Sequence, residues 1–252
     1  MLASLAAQHL GGKVGGFVAG LPATAVLAIF FITYSEGARH GFDVAGVFPL
    51  AVSVNALFLA AFAAFSKKSF AIGLSVSLGF WVLIQSFLLH HHPVGFRVVV
   101  ALGVAVFLAC ALAVSRLEIP DPGSRPVRHG PGEIAIRAAS GGVFIVLAMI
   151  GSREGGPILG SILSAFPSTV VATLVISDAY AGREVTRVMA LPMMVSGVVN
   201  CMVFAVVYRH VVLHMHVLSA VAVAYAVTLV SAACTFYGLN VHYRKRMRAA
   251  NT

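Results

Sequence analysis

Two copies of one short motif hold the residues with the clearest chemical potential in this sequence. The first is GGFVAGLPAT, from Gly15 to Thr24, and the second is GSILSAFPST, from Gly160 to Thr169. Each copy places a proline inside an apolar segment, where proline supplies no backbone N–H and clashes with the carbonyl four residues earlier. We therefore expect two broken helices whose backbone polar groups are free to bind a ligand.

Each proline is expected to start a new half-helix as its first residue, with hydroxyl side chains in the first turn. N–H groups, hydroxyls and the positive end of a helix dipole then point at one place. Val18 and Leu163 are the residues whose carbonyls the two prolines would free. Small residues in both motifs permit close approach of a backbone or a ligand. The predicted substrate-binding residues from the motifs are Gly16, Gly20, Pro22, Thr24, Gly160, Pro167, Ser168 and Thr169.

Two asparagines inside apolar segments, Asn55 and Asn200, are further candidates for the same site. They recur 145 positions apart, the spacing that also separates the two motifs. An amide inside a membrane is costly unless it is hydrogen-bonded, so such residues are often functional. The alternative is a structural role in which each amide bridges neighbouring helices.

Two acids near the ends of apolar segments suggest proton coupling. Glu36 follows Ser35 and Asp178 follows Ser177, at what we predict to be opposite faces of the membrane. The two Ser-acid pairs resemble repeat mates, although their alignment needs a gap of about one helical turn. Solvated helix ends are the alternative explanation for both carboxylates.

A group of histidines supports a rival hypothesis of metal handling. Imidazole is a common ligand for Zn, Ni and Cu. However, no H-E-x-x-H motif, cysteine pair or suitably spaced carboxylate accompanies these histidines, so a plain interfacial role is the alternative. The candidate metal ligands are His90, His91, His92, His210 and His214.

Composition indicates a membrane protein. Of the 252 residues, 60% are hydrophobic and 10% charged, and the mean hydropathy is +0.96, which leaves too few charges for a soluble surface. A membrane-spanning helix needs roughly 20 predominantly apolar residues. The sequence predicts about eight such segments, near 14–35, 43–65, 69–90, 95–115, 133–151, 157–179, 185–208 and 213–237.

The basic residues predict orientation in the inner membrane, with both termini in the cytoplasm. This arrangement places 13 Lys and Arg residues inside and only Arg39, Arg97, Arg153 and Arg209 outside, in agreement with the positive-inside rule. The net charge of +9 is scattered over short loops and a tail, which argues against nucleic-acid binding.

The repeated motif lies in the predicted first and sixth segments, so the two copies must run in opposite directions. Pro49 and Pro192 recur at a spacing of 143, which implies a small insertion or deletion before Asn200. We predict an all-α polytopic protein with inverted-topology repeats: repeat 1 over residues 1–92, truncated at its start, a connection over 93–132, and repeat 2 over 133–252.

The motifs also resemble a family. The stretch GGPILGSILSAFP, which ends at Pro167, is similar to the Gly-rich, Phe-Pro-ending motif of the small GlpM-like inner-membrane proteins. The first copy departs from that motif because it has Leu21 where the second has Phe166. The resemblance implies a polytopic protein of unassigned substrate, built as a fusion of two such units.

The combined expectation is a secondary transporter of a small solute, working by alternating access around the paired broken helices. Its expected partners are the bilayer, a small-molecule or ion substrate and, as an open possibility, further copies of itself; no nucleic acid or cofactor is expected. No enzymatic motif is recognised. The alternatives are a channel, a metal-handling protein that uses the outer histidines, or a non-transporting scaffold or lipid-modifying enzyme.

Overall fold

A computed structural model describes residue 17 and residues 20–91, 95–117 and 131–250. Within these ranges the chain forms helices and turns and no strand, which confirms the all-α class. A π-helical segment, Val195–Val199, joins the helices Arg183–Met194 and Asn200–Val211 without a break. The α-helices are α1 (Ala23–Glu36), α2 (Ala38–Phe65), α3 (Phe70–His90), α4 (Phe96–Arg116), α5 (Pro131–Ser164), α6 (Ser168–Ala181), α7 (Arg183–Met194), α8 (Asn200–Val211) and α9 (Val217–Ala250).

Six helical segments among the described residues are long and apolar enough to cross a membrane: Ala38–Phe65, Phe70–His90, Phe96–Arg116, Ala138–Ala181, Arg183–Val211 and Val217–Val241. This set is compatible with a multi-pass membrane protein. It differs from the expected eight for two reasons. The expected first segment is described as a helix only from Ala23, so α1 has 14 residues, and the expected fifth and sixth fall within the single run Ala138–Ala181.

The chain reverses direction inside that run, at Gly156. This residue has φ 78° and ψ −176°, a conformation essentially restricted to glycine. A Cβ atom placed on Gly160 would lie 2.6 Å from the Cβ of Ser152, whereas residues eight apart in one straight helix are about 12 Å apart. Residues 157–164 therefore fold back beside the preceding turns, at the expected boundary between the fifth and sixth segments.

Both motif prolines interrupt helices, as predicted, and they do so in the same way. Pro22 and Pro167 have φ/ψ of −78°/34° and −80°/47°. In each case the N–H of the following residue donates to the carbonyl of the preceding one at 2.8 Å, the hydrogen bond of an inverse γ-turn. Each proline lies at the N-cap of its half-helix, one position before the first helical residue, whereas the sequence predicted proline at the first helical position.

One detail of the predicted break is wrong. The Leu163 carbonyl is not left free, because it accepts the N–H of Phe166 at 3.2 Å in a tightened last turn of α5. Val18, its expected counterpart in the first copy, lies outside the described residues. The polarity available at the second break therefore comes from the half-helix that follows Pro167.

The two half-helices also end alike. α1 and α6 both have 14 residues, and each is followed by a glycine with positive φ, Gly37 at 95° and Gly182 at 84°. The N–H of Gly37 donates to the Thr33 carbonyl, and the N–H of Gly182 donates to the Asp178 carbonyl. Only glycine adopts this extended positive-φ conformation cheaply, so each glycine lets the chain turn at once into the next helix.

Two prolines that recur in the sequence do not break their helices. Pro49 lies inside α2 and Pro192 lies inside α7. The spacing of equivalent residues changes from 143 at this proline pair to 145 at Asn55 and Asn200, and the π segment Val195–Val199 lies between Pro192 and Asn200. A π turn is wider than an α turn and accommodates one inserted residue, so this segment accounts for one of the two residues by which the spacing changes.

The helices form an inner and an outer group. In the apolar windows of Ala38–Phe65, Ala138–Ala181 and Arg183–Val211, 61% of residues are buried, against 28% or less in α3, α4 and α9. The outer helices expose large apolar side chains such as Leu83, Leu108 and Val230. Such surfaces suit a lipid environment, and the inner group is therefore where a polar site would be shielded.

Candidate functional site

The two proline breaks meet at one small cavity between the inner helices. Its volume is about 50 Å³, enough for one ordered water or a small ion, since a water takes about 30 Å³ of liquid volume. Most of the predicted binding residues line it: Gly20, Pro22, Thr24, Asn55, Pro167, Ser168 and Thr169. Gly160 and Asn200 do not line it, and Gly16 lies outside the described residues.

A hydrogen bond between hydroxyls joins the two breaks directly. Thr24 Oγ1 and Thr169 Oγ1 are 2.9 Å apart, and the residues are 145 positions apart in the chain. Each hydroxyl lies in the first turn of its half-helix, so the positive ends of two helix dipoles converge on the same place. Such an arrangement favours a ligand group that carries negative charge or accepts hydrogen bonds.

Ser168 supplies an unused polar group at this cavity. Its side chain is only 3% exposed, and its hydroxyl has no hydrogen-bond partner among the described residues. A buried hydroxyl without a partner is unfavourable unless a water or ligand satisfies it. Ser168 is one of the residues that line the cavity.

Gly20 packs closely against the backbone of another helix at the first break. A Cβ atom at this position would lie 2.7 Å from the Met193 carbonyl oxygen and 2.9 Å from the Gly197 nitrogen. Both neighbouring atoms belong to backbone, which cannot move aside as a flexible side chain could. Glycine is thus required for the first break to contact the helix from the other half of the chain.

Asn55 connects the second break to an outer helix. Its Nδ2 donates to the Ala165 carbonyl at 2.8 Å, next to the end of α5, and its Oδ1 accepts the indole N–H of Trp81 at 2.9 Å. The amide thereby satisfies a carbonyl released where the helix ends. Trp81 also packs edge-on against Phe166, with ring centroids 5.0 Å apart.

Asn200 has only half of this bonding. Its Oδ1 accepts the hydroxyl of Ser231 on α9 at 2.9 Å, much as Asn55 accepts a donor from α3. Its Nδ2 is fully buried and has no partner among the described residues. At the spacing of 145, the counterpart of Ala165 is Gly20, whose carbonyl lies close to Gly197 rather than accepting this amide.

The acids expected to couple protons lie away from the cavity. Glu36 Oε2 is 3.1 Å from His40 Nε2, and that same nitrogen is 2.8 Å from the Ser152 hydroxyl. The other carboxylate oxygen, Oε1, is buried without a partner among the described residues. Because the acid and the hydroxyl share one ring nitrogen, this cluster is not arranged as a Ser-His-acid triad, which uses opposite nitrogens.

Glu36 and Asp178 do not correspond in the two half-helices. α1 and α6 match in length and begin 145 residues apart, so no gap is present within them. At this spacing Asp178 corresponds to Thr33 rather than to Glu36. In each helix the backbone carbonyl of that residue accepts the N–H of the glycine that follows the helix. Proton coupling by the two acids stays a prediction, but their pairing as repeat mates needs a gap that these helices lack.

The candidate metal ligands do not assemble into a site within the part of the chain that the structure describes. There, no three His, Cys, Asp or Glu side chains come together as a metal-binding group. His90 and His210 each place Nδ1 against the carbonyl of their own helix four residues earlier. His91 stacks on Phe87, and His92 lies outside the described residues. Metal binding stays a prediction.

Two important residues of these sites were not predicted. Trp81 is the only tryptophan in the chain, and a buried indole N–H needs an acceptor, so its position 26 residues after Asn55 was an available signal. Arg209 lies between two phenylalanine rings near the end of α8, a contact that no local sequence pattern indicates.

No family model matches this chain, and neither a curated protein nor a solved structure matches it, so the GlpM-like resemblance stays a prediction.

Proposed function

We propose that this protein is a secondary transporter that moves a small solute by alternating access around the cavity between the two proline breaks. The observation that carries the proposal is the meeting of both breaks at one place, joined by the bond between Thr24 and Thr169. Irregular backbone at membrane depth is tolerated where it is buried or lines a cavity, and paired broken helices of this kind form the substrate sites of many transporters.

We also propose that the chain crosses the inner membrane eight times as two inverted repeats, with both termini in the cytoplasm. Two observations support it. In the proposed arrangement the reversal at Gly156 separates the fifth crossing from the sixth, so the motif copies lie in the first and sixth crossings and run in opposite directions. The half-helices α1 and α6 share their length, their proline N-caps and their glycine ends at a constant spacing of 145.

The proposed solute is small and presents a hydrogen-bond acceptor to the cavity. The two half-helices direct their positive ends there, and among the described residues the Ser168 hydroxyl has no partner and no charged side chain lines the cavity. During transport, one repeat would rock against the other while the acceptor group exchanges contacts between the two breaks. Pro22 and Pro167 keep those breaks open in both orientations.

Flux into reconstituted vesicles tests this proposal. A panel of labelled small anions and neutral hydroxyl-bearing solutes should include at least one whose uptake saturates with concentration. Pro22→Ala and Pro167→Ala are expected to lower that uptake at least about tenfold, because alanine restores the missing N–H and allows helix to continue. Pro49→Ala is the matched control, because Pro49 lies within an unbroken helix.

Three outcomes would count against the mechanism. Wild-type uptake by both proline variants would exclude a role for the breaks. Flux that rises without saturation would indicate a channel. Folded wild-type protein that moves no member of the panel would contradict transport of a small acceptor-bearing solute.

A further inference from the structure

A second and larger cleft lies at the end of the bundle where α2 and α4 begin and α8 ends. Its volume is about 460 Å³, within the range of small-molecule sites, whereas the cavity between the breaks has about 50 Å³. Its walls combine aromatic and basic side chains from three helices. The residues that matter are Phe42, Phe96, Arg97, Arg209, His210 and His214.

Arg209 is held rigidly in this cleft. Its Cζ atom lies 3.5 Å from the ring centroid of Phe42 and 4.8 Å from that of Phe96, so the guanidinium contacts two aromatic rings. Its Nη1 donates to the Phe42 carbonyl. A guanidinium has five N–H donors in a planar fork. Among the described residues, the Phe42 carbonyl is the only acceptor that bonds to those of Arg209. Cation–π contacts fix the position of the group without neutralising its charge.

The positive charge in the cleft is poorly compensated. No carboxylate lies within 4.0 Å of Arg209 or Arg97 among the described residues. Asp43 is an acid whose negative charge acts on Arg209. Its carboxylate lies 4.0 Å from the guanidinium of Arg39, however, and the positive charge of Arg39 acts on Arg209 in the opposite direction. Arg97 is exposed and lies in the first turn of α4, at the positive end of that helix.

We propose that this cleft binds a phosphate group. Two guanidiniums from different helices offer forked donors that match a tetrahedral oxyanion, and His210 and His214 add ring nitrogens at the rim. The bound group is either the headgroup phosphate of an anionic lipid or a free phosphate. Both present the same oxygens to the cleft. The site is separate from the cavity between the breaks and does not depend on transport.

Two binding measurements on the full chain in detergent distinguish these sources. Inorganic phosphate is titrated by calorimetry, and retention of phosphatidylglycerol is measured by native mass spectrometry, each at low and raised salt. Binding is expected with at least one probe and should weaken as salt screens the charges. Phosphate alone would identify a free anion, whereas lipid alone would identify a headgroup; wild-type protein that retains neither probe would overturn the proposal.

Variants separate a phosphate site from general surface charge. Arg209→Gln and Arg97→Gln are each expected to weaken binding at least about tenfold, because each removes charge-assisted hydrogen bonds. Arg153→Gln is the matched control, since Arg153 is exposed and contacts Glu154. Arg209→Gln also removes packing, but Arg97 is exposed, so its variant tests binding in an intact fold. Equal weakening by Arg153→Gln, or unaltered binding by Arg97→Gln and Arg209→Gln, would overturn the proposal.

Discussion

Asn55 and Asn200 occupy the same place in the two halves of the chain, yet their hydrogen bonding differs. Both accept a donor from an outer helix, Trp81 for Asn55 and Ser231 for Asn200. Only Asn55 donates across to a break in the other half, at the Ala165 carbonyl. The buried Nδ2 of Asn200 is unpartnered among the described residues.

The two halves of the chain therefore have similar helix breaks and helix ends but different side-chain hydrogen bonds. The proline turns, the 14-residue half-helices and the positive-φ glycines are alike in both. The halves differ in the π segment Val195–Val199, which has no counterpart in the continuous helix α2, and in the side-chain contacts between them. Under the proposed mechanism, the bond missing at Asn200 is the one that forms when the halves exchange roles.

Gly20→Ala is expected to have the largest effect on stability, because it disrupts the contact between the first break and the other half of the chain. The new Cβ would collide with the Met193 carbonyl and the Gly197 nitrogen, so the free energy of unfolding should fall by about 2–3 kcal/mol. Denaturant titration in detergent measures this fall. Gly79→Ala is the control, since nothing lies within 4 Å of a Cβ there. Equal stability of the two variants would show that the first break does not pack against the opposite half.

Asn55→Leu tests the half whose bonding is complete. The substitution leaves the Trp81 N–H and the Ala165 carbonyl without their partner, and about 2 kcal/mol of stability should be lost. The same titration measures it, with tryptophan fluorescence reporting on the single indole. An unchanged Trp81 spectrum would argue that the indole bond is absent in the protein in detergent.

Asn200→Leu is the matched substitution in the other half and should have a smaller effect. It removes one bond to Ser231 but also an amide nitrogen that has no partner among the described residues, so stability should stay within about 1 kcal/mol of wild type. Solute uptake should nevertheless fall if this amide bonds in the opposite state. A loss of stability as large as that of Asn55→Leu would remove the asymmetry between the halves.

The bond between Thr24 and Thr169 should give the smallest effect, since both residues are partly exposed to the cavity. A double-mutant cycle with Thr24→Val and Thr169→Val is expected to yield a coupling energy of about 0.5–1 kcal/mol. Thr228→Val, paired with Thr24→Val, is the control, because Thr228 bonds to its own helix at the Ala224 carbonyl. Coupling of the same size in the control pair would mean that the hydroxyls do not interact.

Much of the backbone plan could be predicted from local residue chemistry. Proline at positions 22 and 167 removes a donor, so the breaks follow directly from the sequence. The same rule overpredicts at Pro49 and Pro192, which lie inside continuous helices, because proline kinks are accommodated when neighbouring helices support the chain. The reversal at Gly156 lies between the expected segments 133–151 and 157–179.

The contacts between the halves could not be predicted in the same way. Nothing near Arg209 in the sequence indicates that Phe42 and Phe96 will enclose it, since those residues lie on other helices. The same holds for the acceptor of the Trp81 indole. Pairing between distant helices depends on how they pack, and packing is a property of the whole chain.

The membrane-compatible composition, the positions of both breaks and the recurrence of the residues around them can be read from the residues alone, because they depend on hydropathy and on the missing N–H of proline. The fold of the whole chain is needed to show that Thr24 and Thr169 meet across the two breaks, and that among the described residues Asn55 completes its hydrogen bonds whereas Asn200 does not. The physical reason is that a buried amide or hydroxyl needs a partner within hydrogen-bond distance, and folding selects that partner from across the chain.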